Sequence, residues 1–108
     1  MEFTPQQISI LERLQARDFQ IEAFPMYANY VGVRKGNCAA LLAPVGADRF
    51  QLHGQPAHLI GGNFSVRVTR EGRDWFVWKK QKLEVTSERL AELESFSAQL
   101  SQTLMPVI

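Results

Sequence analysis

Apolar residues recur at spacings of three and four near both ends of the chain, and this predicts two helices with one greasy face each. At the N-terminal end the stripe is Ile8, Leu11 and Leu14, with Ile10 paired to Leu14. Thr4-Pro5-Gln6-Gln7 precedes it, giving a capping residue, proline at the first helical position and glutamine three residues after the cap. That spacing satisfies orphan N–H groups, so a helix is expected from Pro5 to about Arg17. At the far end Leu90, Leu93, Phe96, Leu100 and Leu104 predict a helix over residues 87 to 104. Thr86 or Ser87 would cap it, Glu88 favours its first turn, and Pro106 lies past its end.

Between the helices, short aromatic and aliphatic runs alternate with turn chemistry, the pattern of antiparallel strands. Phe19 to Phe24 reads as a first strand stopped by Pro25. Tyr30 to Arg34 and Cys38 to Ala43 read as a pair across Lys35-Gly36-Asn37. Phe50 to His53 is expected to end at Gly54-Gln55-Pro56, and Ala57 to Ile60 to meet Asn63 to Arg70 across Gly61-Gly62. A last hairpin turns at Glu71-Gly72 and leads into WFVWKKQK, residues 75 to 82. The expected fold is α+β: an N-terminal helix, an antiparallel meander of about five to six strands and a C-terminal helix, with both helices on one sheet face.

A two-residue turn at Glu71-Gly72 sets Arg70 opposite Arg73, Val68 opposite Trp75 and Val66 opposite Val77. Trp75 and Val77 then share a face with Lys79, Gln81, Leu83 and Val85 along a continuous last strand. A Gly61-Gly62 turn adds Ala57, Leu59 and Phe64 to that face, which makes it the expected core side. The opposite face carries His58, Arg67, Phe76, Trp78, Lys80 and Lys82, and these six form the candidate interaction surface. A three-residue loop with Gly72 in a bulge would instead send Phe76 and Trp78 to the core; the shorter turn is preferred because it keeps Leu83 and Val85 inside.

The 108 residues suit one domain spanning 1–108, without room for a second core. Twelve basic against eleven acidic residues leave a net charge of +1, so no global field steers the chain to nucleic acid or to an anionic membrane. Cys38 stands alone, which excludes an intrachain disulfide and fits a reducing compartment. Nothing approaches the roughly 20 apolar residues of a membrane span, and MEFTPQQ has neither part of a secretory signal, so a cytoplasmic location is expected.

Candidate chemistry is sparse. His53 and His58 flank a turn, but two imidazoles are too few for a metal site. Cys38 with either histidine would need hydrogen-bond reach and an orienting group to act as a nucleophile; in the run CAALLAPV it reads as a small core residue. Gly61-Gly62-Asn63 precedes a strand, so it is no phosphate cradle. Neither catalytic residues nor a cofactor or metal site is expected. The chain reads as a small binding or assembly module without catalytic activity, self-associating as a homodimer, or meeting another protein, through the outer sheet face. Two alternatives stand beside it: a single-stranded nucleic-acid-binding module using the aromatic and basic side chains of that face, and a carrier of a small apolar ligand between sheet and helices.

Overall fold

A computed structural model describes residues 2–104. The apolar tail Met105 to Ile108, expected to close the core or extend an interface, lies outside the described residues, as does Pro106. Helix α1 (Pro5–Ala16) begins with the expected capping box: the Gln7 backbone N–H donates to Thr4 Oγ1 at 3.2 Å, and the Thr4 N–H donates to Gln7 Oε1 at 3.1 Å. The Gln7 side chain also donates to the Gly46 and Arg49 carbonyl oxygens, fastening the helix start to the sheet. Helix α2 (Ser87–Leu104) is capped by Thr86, whose Oγ1 accepts from the Arg89 N–H at 3.2 Å.

Among the described residues eight strands stand where five to six were expected, all paired antiparallel. The first sheet runs β1 (Gln20–Glu22), β2 (Val31–Lys35), β3 (Cys38–Val45), β4 (Arg49–Ile60), β5 (Asn63–Phe64), in that order. The second holds β6 (Val66–Arg70), β7 (Arg73–Trp78) and β8 (Gln81–Glu84). The class is α+β, with α1 and α2 on one face of the first sheet. Leu14, Leu42, Leu100 and Phe76 are completely or almost completely buried between them. A smaller apolar cluster of Phe24, Ala39, Leu41 and Leu59 occupies the other face of that sheet, beneath the 3-10 turn Pro25–Tyr27.

Three details depart from the expected strands. Gly54-Gln55-Pro56 does not end a strand: β4 runs through it, with Gly54 at φ 70° and the β3–β4 register shifting between Ala39 and Leu41. The extra residues are absorbed as a bulge, so His53 and His58 lie on one strand rather than two. The Asn63–Arg70 run divides at buried Ser65, whose Oγ donates to the His58 carbonyl oxygen as the chain passes from one sheet to the other. The WFVWKKQK stretch is a hairpin, with Trp78 opposite Gln81 across Lys79-Lys80.

That hairpin reverses the expected core side. The register at Glu71-Gly72 is the preferred one, Val68 opposite Trp75 and Val66 opposite Val77, with positive φ at both turn residues. Because the chain turns back at Lys79-Lys80, Leu83 pairs with Phe76 instead of continuing the face of Trp75. Phe76, Trp78 and Leu83 therefore pack on the core beneath the helices, and Val66, Val68, Trp75 and Val77 face outward.

Candidate functional site

The six residues expected to share an outer surface are split by the fold. Phe76 is fully buried, with its ring centroid 5.1 Å from that of His58, itself buried. Trp78 is half-buried against the core and lines a small cavity of about 140 Å³ with Phe24, Met26, Tyr27 and Phe64. Arg67 is exposed and donates to Asp74 at 2.9 Å. The Thr69 hydroxyl, and then Arg67, hold the Asp74 carboxyl below its usual range. Lys80 is exposed in the Lys79-Lys80 turn, and Lys82 projects from β8 on the face opposite to Phe76. Of the six, only Lys82 lies on the sheet face that carries exposed Val66.

That surface is the outward face of β6–β8. Val66 is 55% exposed, and Val68, Trp75 and Val77 are each half-buried beside it. Arg70, Glu71, Arg73 and Lys82 join Trp75 and Val77 around a depression of about 570 Å³. The Lys82 ammonium lies 4.6 Å from the Trp75 ring centroid, a cation–π contact. Its signal in the sequence is the alternation of β6, where Val66 and Val68 occupy alternate positions; what misleads is the core side assigned to it.

A second cluster joins the Cys38 and histidine pairing weighed in the sequence to Glu92, which has no signal there. Cys38 at the start of β3 is the register partner of His58 on β4, and Glu92 of α2 approaches both. One donor atom from each lies within 4.8 Å of the others. Cys38 is completely buried and His58 nearly so, while Glu92 is exposed and lines a cavity of about 290 Å³ with Lys35, Ser95 and Gln99. Cys38 Sγ is 4.0 Å from His58 Nε2, yet that nitrogen sits 3.0 Å from the Arg89 carbonyl oxygen. A carbonyl only accepts, so Nε2 carries a hydrogen and cannot take a proton from the thiol. Burial, and then the neighbouring Glu92 carboxylate, push the Cys38 thiol up to about 12. A nucleophile needs the opposite environment.

No known protein family, curated protein or solved structure matches the chain.

Proposed function

We propose that the chain is a small cytoplasmic binding module that acts without catalysis and associates with a second copy of itself through the outward face of β6–β8. The observation that carries this reading is Val66, 55% exposed in a sheet face where Val68, Trp75 and Val77 adjoin it. Arg70, Arg73 and Lys82 alternate around these residues with Glu71 and Glu84, so a two-fold copy can meet cations with carboxylates. A net charge of +1 leaves little repulsion between copies. A face three strands wide and five residues long projects about 240 Å², well below the roughly 800 Å² per partner of a standard interface. The association is therefore weak and follows protein concentration.

One observation favours a second reading. Trp75 beside Arg70, Arg73 and Lys82 offers a stacking ring among three cations, the equipment for single-stranded nucleic acid. The carrier reading has less support: the depression of about 670 Å³ between α1, the end of α2 and β4 sets Arg13, Asp48 and Arg49 beside Ile10, Phe50 and Leu104 rather than enclosing an apolar ligand, and the cavity beside Trp78 holds only about 140 Å³.

Light scattering over a concentration series, at low and high salt, separates these readings. Self-association through apolar burial persists at high salt, and Val66→Asp with Trp75→Ala gives a folded protein that stays monomeric. Equal association by that variant overturns the proposal. Salt-sensitive binding of an unstructured oligonucleotide by an otherwise monomeric chain favours the second reading instead.

A further inference from the structure

The geometry points to a mononuclear zinc site formed by Cys38, His58 and Glu92, separate from the outer sheet face. Three elements bring the donors together: Cys38 and His58 are held opposite one another by the β3–β4 ladder, and Glu92 is delivered by α2. A thiolate, an imidazole and one carboxylate are a borderline-soft set that suits zinc better than magnesium or calcium. In a tetrahedral zinc site the sulfur and nitrogen ligands stand about 3.6 Å apart, as follows from usual bond lengths. The observed separation is 4.0 Å, so closure requires only a small movement. Glu92 supplies the larger adjustment, and it is exposed and free to change rotamer.

Charge supports the same occupant. With Sγ and the carboxylate both ionised, the pair carries two negative charges beside a completely buried sulfur, and a divalent cation neutralises them. On binding, the thiol proton leaves to solvent. The His58 hydrogen moves from Nε2 to Nδ1, so Nε2 gives up its donation to the Arg89 carbonyl oxygen and the ring turns the freed lone pair to the metal. The cavity of about 290 Å³ beside Glu92 gives the ion a way in and room for water as a fourth ligand. The Lys35 ammonium, which lines the same cavity, is engaged by the Arg17 carbonyl oxygen at 3.0 Å and Gln99 Oε1 at 2.8 Å. It stays beside the site without blocking it.

The test is zinc uptake by the reduced full-length chain in competition with a chromogenic zinc indicator, with cobalt as a spectroscopic substitute. The expected result is one equivalent of zinc, and for cobalt a thiolate-to-metal charge-transfer band with d–d bands of tetrahedral intensity. Cys38→Ala abolishes the charge-transfer band. Glu92→Gln, at an exposed position that leaves folding intact, weakens zinc about tenfold or more. His53→Gln, in an exposed histidine on the same strand as His58, changes nothing. Absence of stoichiometric zinc, or unchanged affinity in both Cys38→Ala and Glu92→Gln, overturns the assignment.

Discussion

Cys38 shows how far a single side chain departs from what its neighbours in sequence suggest. In the run CAALLAPV it reads as a small hydrophobe, and it is one, completely buried at the start of β3. Its thiol is also held neutral up to about 12, against an ordinary value of 9.0, by burial and by Glu92. The folded chain keeps this proton over a range where the unfolded chain has lost it. Stability from Cys38 is therefore fully present below about pH 9 and lost as pH rises from there through about 12. Urea unfolding with a chelator present, at several pH values across that window, should show wild type losing stability relative to Cys38→Ala only on the alkaline side. A constant difference between the two proteins would show that the thiol environment is the same in both states. The thiol should also react slowly with alkylating reagents near neutral pH, where few molecules carry the thiolate.

At the scale of elements, Gly32 makes the sharpest case. A Cβ added there would lie 2.3 Å from the Glu22 carbonyl oxygen and 2.4 Å from the Phe24 ring, and the first of these is backbone that cannot step aside. Gly32→Ala should therefore separate β1 from β2 and expel Phe24 from its cluster with Ala39, Leu41 and Leu59. The expected cost is about 1–3 kcal/mol, measured by denaturant unfolding, with faster amide exchange confined to residues 20–22 and 32–34. Unchanged exchange there would mean that the strands accommodate a methyl group. Both helices were legible because cap and periodicity agree in each. The Glu71-Gly72 and Gly61-Gly62 turns were legible because their glycines suit positive φ, which all four turn residues adopt, Glu71 included. Lys79-Lys80 gave no such warning: Lys79 takes φ 52° although lysine seldom does, and a strand that looks continuous folds back. One unseen reversal was enough to exchange core and surface for every residue of β7. The Cys38–His58–Glu92 cluster was illegible for a different reason, since it depends on a bulge in β4 and on where α2 docks.

Taken whole, the molecule is longer than its size requires. Its radius of gyration is 14.4 Å and its extents are 46 × 27 × 20 Å, whereas a compact chain of this length has a radius near 13 Å. The first sheet is covered on one face by both helices and on the other by the 3-10 turn and its aromatic cluster. The second sheet is anchored by Phe76, Trp78 and Leu83 along its inner face, and its outer face and the Arg70–Arg73 tip meet solvent. Local opening should follow this division, because exposed ladders with few buried groups open at low free energy. Hydrogen exchange of the dilute protein should find residues 39–42 of β3 protected most and residues 66–75 of the β6–β7 hairpin protected least. If a second copy covers the outward face, raising the protein concentration slows exchange at residues 66–77 and leaves 39–42 unaffected, with a midpoint matching the rise in solution mass. Adding zinc has the opposite geography, slowing exchange around Cys38, His58 and the first turns of α2 at any concentration. A concentration effect spread evenly over both sheets would place the contact elsewhere on the molecule, and a zinc effect centred on exposed His53 would move the metal out of the core.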